Sequence, residues 1–208
     1  MTENGFEYVD LGLPSKIMWA TCNVGADKLE DPGLLFQFGR VDGYRYNDRN
    51  NKFRIKEQNK QDTGSEYIPQ TTSGKIYNVG EILDLKDDAA HVNMGGKWKM
   101  PTQPQYQDMF NNTIHDVVTI NGIKGMMFTS IINGCQLFIP FGGWWFSGKY
   151  YNVGQYAFVW SSQVLDSYIR SAYSLYCNSG GPTLAGAISA NYFDFRSYGF
   201  SVRGVFKK

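Results

Sequence analysis

Two Asn-Gly pairs constrain the fold of this chain more than any other feature. Asn121-Gly122 sits inside "VTINGIKG", and Asn133-Gly134 inside "FTSIINGCQLFIPF". Both residue types tolerate the left-handed backbone of a tight reversal, so each pair between apolar runs reads as the tip of an antiparallel hairpin. Four more runs of strand length follow: "YAFVWSS", "SAYSLYCN", "NYFDF" and "GFSVRGVF". Near the start, "FEYVDLGLPS", "IMWATCNVGA" and "LLFQFG" read as short strands, with "GLP" marking a turn between the first two.

Helical signals are confined to the middle. Leu85, Ala89 and Val92 recur at helical spacing, with Gly95-Gly96 placed to stop the helix. Thr102 is a plausible N-cap, Gln105 stands at capping-box spacing, and Tyr106, Met109 and Phe110 would line the core face. Pro104 is tolerated in a first turn. Strands, helices and then many strands predict an α+β domain spanning 1–208, with two short helices against antiparallel sheets and long surface loops. The polar segment 40–80 reads as a surface insertion of that one domain, because a compact pattern resumes on both sides.

Charge and motifs narrow the function. A formal net charge of +1 gives no global field for nucleic acid. No apolar run approaches the roughly 20 residues of a membrane span. The start, "MTENGFEYVD", lacks the basic and apolar regions of a signal peptide, so the expected location is a virion or a cell surface reached after removal of a signal. Cys22, Cys135 and Cys177 are widely spaced, which fits buried thiols rather than a disulfide framework, and with only His91 and His115 there is no zinc pattern. Nucleophile-elbow, metalloprotease, phosphate-loop and dinucleotide motifs are absent, so no enzyme, no metal and no cofactor are expected.

A compositional gap is more specific. From Ser161 to Val205 there is no Lys, Glu, Met or Trp. The neighbouring block Val118–Trp160 is as strand-like and nearly as long, and it holds seven: Lys124, Met126, Met127, Trp144, Trp145, Lys149 and Trp160. Strand propensity disfavours Lys and Glu, but it does not disfavour Trp. The genetic code offers a reason. An Asn codon AAC whose adenines are randomised reaches every residue type except Lys, Glu, Gln, Met and Trp. Every residue from Val164 to Val205 lies in the reachable set, and Gln163 is the first outside it.

Four segments, "YVDLGLPSKIMWATCNVGA" (8–26), "DDAAHVNMGGKWKMPT" (87–102), "VWSS" (159–162) and "YGFSVRGV" (198–205), together resemble the Fibrobacter succinogenes major paralogous domain family of gut Bacteroidetes. Lys16-Ile17, Met94 and Val159 depart mildly from its pattern. The resemblance implies a C-type lectin-like fold, related to formylglycine-generating enzymes, whose C-terminal strands and loops present a ligand surface. It also implies kinship with the variable proteins of diversity-generating retroelements, in which adenine-directed mutagenesis rewrites a C-terminal block.

On that reading the block 161–205 is a rewritten surface for a cell-surface protein or glycan. The expected contacts are Val164, Leu165, Asp166, Ser167, Tyr168, Ile169, Ser171, Tyr173, Leu184, Ala185, Ala187, Ile188, Ser189, Asn191, Phe193, Phe195 and Ser197. Tyr and Phe would give stiff contact area, and Ser and Asn adaptable hydrogen bonds. Trp160, Leu175, Phe200 and Val202 are expected in the core, with Arg203 as a structural hydrogen-bonding residue. The alternatives are an adhesion module with an unvarying surface, a formylglycine-generating type of enzyme needing a reactive Cys pair, and a calcium-dependent lectin. For the last, the sugar motif is missing and Asp166 and Asp194 are the only carboxylates in the block.

Overall fold

The computed structural model describes residues 1–45, 67–179 and 188–208. β1 (Thr2–Glu3), β2 (Phe6–Asp10), β3 (Ile17–Asn23) and β4 (Leu35–Phe36) come first. α1 (Ala89–Met94) and α2 (Gln103–Asn111) follow. Then come β5 (Thr113–Ile120), β6 (Ile123–Ser130), β7 (Gln136–Pro140), β8 (Trp144–Phe146) and β9 (Lys149–Tyr151). The last elements are β10 (Tyr156–Val164), β11 (Ser171–Asn178), β12 (Ile188–Phe195), β13 (Phe200–Ser201) and β14 (Arg203–Lys207).

The first Asn-Gly pair turns a two-residue hairpin. Asn121 and Gly122 take φ of 49° and 83°, and Ile120 pairs with Ile123 across β5 and β6. The second pair closes a wider loop between β6 and β7. There the Asn133 side chain accepts from the Cys135 amide at 3.0 Å and donates to the Asp10 carbonyl at 2.9 Å. A third reversal, Ser147-Gly148 between β8 and β9, also has positive φ at both residues. Its Ser in place of Asn hid it in the sequence.

The sheets are β1-β2-β3-β14, β12-β11-β10-β13-β4, β5-β6-β7 and β8-β9, with antiparallel pairing except where β10 meets β13. β10 explains why its sequence runs apolar without alternating: it is buried on both faces. Phe158 and Trp160 enter one core cluster with Phe36, Tyr77, Trp98 and Phe200. Ala157 and Val159 enter the other with Trp19, Tyr106, Leu137 and Leu175. Trp160 is 0% exposed, and its indole donates to the Phe36 carbonyl at 2.8 Å. Leu175, Phe200 and Val202 are also fully buried, as their sequence context suggested.

The expected α+β, lectin-like architecture does not hold. Strands take 44% of the described residues and helices 10%, so the fold is mainly β, built of curled antiparallel sheets. The two helices exist but are too short to form a layer. Of the stripe predicted there, Ala89 is buried but Leu85, in the turn before α1, and Val92 stay about half exposed. Only one 3₁₀ turn and the six residues of α1 form, because Asp87 and Asp88 dominate locally. Buried Asp88 caps α1 by accepting from the His91 amide, and it also accepts from the Met100 amide. Buried Asp87 accepts from Ser73 and from the Tyr77 hydroxyl. α2 matches its signals better: Gln105 accepts from the Thr102 amide at 2.9 Å, and Tyr106 and Met109 are buried. The middle of the expected surface insertion, residues 46–66, lies outside the described residues.

Candidate functional site

Two strands and the turn between them build the site. β10 ends at Val164, which pairs with Ala172 of β11, and the chain reverses over 165–170. Ser162 and Val164 are also stitched to the segment beside them: Leu83 N–H donates to the Ser162 carbonyl and Val164 N–H to the Glu81 carbonyl. β12 then adds to β11 as the outer strand, with Tyr173 opposite Phe193 and Ala172 opposite Asp194. The register shifts between Ser174 and Tyr176, where β12 carries one residue more than β11. Such a bulge bends an edge strand and re-aims its side chains.

The expected contacts separate into two groups. Asp166, Ser167 and Tyr168 are exposed at the turn, Ile169 is half-buried, and Phe193 is exposed on β12. The Tyr173 hydroxyl donates to Asp166 Oδ2 at 3.0 Å, which draws the turn onto the β11–β12 pair. Burial and then that hydrogen bond to a carboxylate raise the Tyr173 phenol above its ordinary range. Ser189 and Phe195 are half-buried on β12. Val164, Leu165, Ser171 and Ser197, by contrast, are buried, and exposure at these positions is corrected. Val164 faces the core opposite Ala172, and Leu165 anchors the turn, its amide donating to the Ser171 carbonyl at 2.9 Å. Ser197 lies in the loop after β12, its carbonyl accepting from Gln37. Leu184, Ala185 and Ala187 lie outside the described residues, as do the side chains of Ile188 and Asn191.

The opposite face of the same strands carries an aromatic layer, of which the sequence singled out Tyr192 and Phe195 as contact residues but not Trp144, Tyr156, Phe158 or Tyr176. Phe158 is its hub, with Trp144, Tyr156, Tyr176 and Tyr192 around it at centroid distances of 5.3–6.5 Å. Tyr176 and Tyr192 stack at 4.7 Å across β11 and β12. Tyr198 extends the layer to Trp144, Phe146 and Phe195. Phe158 itself is buried, and the rings around it are half-buried. Asp194 stands in this layer; burial pushes its carboxyl up to about 6, and the Phe195 amide it accepts from only partly opposes this. The signal was present as the alternation Tyr156, Phe158 and Tyr192, Asp194. It became readable only once the register was known.

Two arginines and the cysteines complete the site's surroundings. Arg203 is fully buried and donates to the carbonyls of Ala20, Thr21 and Phe138, the structural role its place in "FSVRGV" suggested. Arg196 is fully buried beneath the turn. Cys177 is buried and its thiol is pushed up by burial, which disfavours the thiolate that does nucleophilic chemistry. Cys135 is exposed and Cys22 half-buried, so burial of all three thiols is corrected to one. Among the described residues no three His, Cys, Asp or Glu side chains are grouped to hold a metal ion, and no helix is long and apolar enough to cross a membrane. No protein-family model, curated protein or solved structure matches the chain.

Proposed function

We propose that the chain is a ligand-binding protein whose block 161–205 carries exchangeable side chains on a conserved backbone course, for attachment to a cell-surface protein or glycan. The observation that carries this reading is the convergence of Asp166, Tyr173 and Phe193, chosen from sequence, onto one exposed surface beside Ser167 and Tyr168. Exposed positions tolerate substitution, whereas buried ones lose several kcal/mol when changed. The turn and the outer strand therefore suit a surface that varies, and Val164, Leu165, Ser171 and Ser197 belong to its scaffold. The compositional gap and the resemblance to the paralogous-domain family add the diversification mechanism, and with it display on a virion or cell surface. The buried Cys177 weighs against the formylglycine-generating reading.

Sequencing the surrounding locus tests the mechanism. A near-copy of the 3′ end differing at adenines, beside a reverse transcriptase gene, is the expected result; a locus with neither sinks diversification and leaves a binding surface of set sequence. Binding itself is tested by a display library randomised at Asp166, Ser167, Tyr168, Ile169, Tyr173 and Phe193. Folded clones with different ligand preferences are expected, and a library that yields only misfolded chains rejects the site.

A further inference from the structure

A surface whose side chains change needs something else to hold its backbone in place. We infer that Arg196 positions the 165–170 turn for ligand contact, gripping it through main-chain atoms rather than through the side chains it displays. This rests on the binding reading above.

Arg196 lies on the loop that leaves β12, and it is 0% exposed. Its Nη1 donates to the Ile169 carbonyl at 3.2 Å and to the Tyr77 carbonyl at 3.2 Å. Its own amide donates to the Arg170 carbonyl at 2.9 Å, and its carbonyl accepts from the Phe38 amide at 3.1 Å. The guanidinium also lies over the Phe38 ring, 5.1 Å from its centroid. One residue thus joins the turn, the segment carrying Tyr77 and the strand region at Phe38.

Beside the side-chain bond from Tyr173 to Asp166, two further main-chain bonds set the course of the turn. Ser171 N–H donates to the Tyr168 carbonyl at 3.1 Å, and Leu165 N–H to the Ser171 carbonyl at 2.9 Å. None of these bonds uses the side chain of Ser167, Tyr168 or Ile169. Main-chain carbonyls are present whatever residue occupies the position, so the grip survives rewriting of the sequence.

The choice of arginine is informative. Burying a guanidinium with no carboxylate partner is unfavourable, and an apolar residue of similar volume is often more stabilising. Among the described residues no carboxylate forms an ion pair with Arg196. Burial moves its pKa down to about 10, so it keeps its charge and its donors at neutral pH. Both carbonyls are served by Nη1, whose two N–H groups are held at a set angle in the guanidinium plane, whereas a lysine ammonium is a more strongly hydrated charge on a freely turning stem. Arg196 is therefore a positioning residue, and it makes no ligand contact itself.

Amide hydrogen exchange on the intact chain tests this. In Arg196→Met the amides of Leu165 and Ser171 are expected to exchange about tenfold faster, while Val24 and Val205, whose amides bond within the core, keep their protection. Arg196→Lys is expected to restore part of the protection. Acceleration of all four amides together, or of none, overturns the proposal. Should Arg196→Met fail to fold, the converse variant decides: Ser167→Ala, Tyr168→Ala and Ile169→Ala combined should leave Leu165 and Ser171 as protected as before. Loss of that protection means that the displayed side chains hold the turn, and the inference fails. Neither outcome depends on the locus, so it stands or falls separately from diversification.

Discussion

At the scale of single residues, burial and register decide what each side chain can do. Asp194 was legible in the sequence only as one of two carboxylates in the block; its half-buried place among tyrosines was not, because it depends on which residue of β11 it faces. Its raised pKa has a definite sign. The unfolded carboxyl ionises near its ordinary value and the folded one only at about 6, so the folded state holds the extra proton in between. Stability on this account is greatest at low pH, falls as pH rises from about 4 to about 6, and stays lower above. Asp194→Asn should therefore stabilise the fold relative to the parent at pH 8 by roughly 1 kcal/mol after allowing for partial exposure, seen as a higher thermal midpoint, and should give no gain at pH 4. Paired melting curves at the two pH values check this. Phe158 is a second case. As the hub of the aromatic layer it should cost about 3–5 kcal/mol when changed to Ala, with a loss of near-ultraviolet dichroism from the tyrosines around it.

At the scale of elements, local signals were legible where the chain itself satisfies them and illegible where a distant partner does. The Asn121-Gly122 turn and the α2 capping box are set by their own backbone and neighbouring residues, and both stand where their residues put them. The stripe of Leu85, Ala89 and Val92 met every local rule for a longer helix, but the core it needed lies elsewhere, and two buried aspartates set the backbone instead. Bulges escaped notice because one extra residue leaves no mark in composition. Gly143 shows the same dependence on a partner. Its φ is 69°, and a Cβ there would run into the Tyr151 carbonyl, which comes from the next hairpin. Gly143→Ala should cost about 3 kcal/mol or more and detach β8–β9 from the aromatic layer, observable as a lower midpoint in denaturant and faster exchange at Trp145, whose amide donates to the Gly199 carbonyl.

At the scale of the whole molecule, the five-stranded sheet divides two cores, and the two ends of the chain meet beyond it. The mainly-β outcome was half visible: the strands were found, but their dominance over the helices depended on how few residues the helices keep. Arg203 binds carbonyls on β3 and β7, so it couples the sheet at the start of the chain to the three-stranded sheet. Arg203→Met should destabilise by about 3–5 kcal/mol, because it strands buried carbonyls; chemical denaturation measures this. β14, the last strand, pairs with β3, the third, across nearly the full length of the sequence. During synthesis β3 waits without this partner until residues 203–207 emerge. A chain broken off before Arg203 by a stop codon or a frameshift leaves the edge of β3 open, and quality-control proteases can remove it. Deleting residues 203–208 should give a chain that is degraded in cells and lacks exchange protection at Met18, which pairs with Phe206. Because β14 follows every other strand, a copy read out of frame anywhere upstream lacks it, and folding itself acts as a proofreading step.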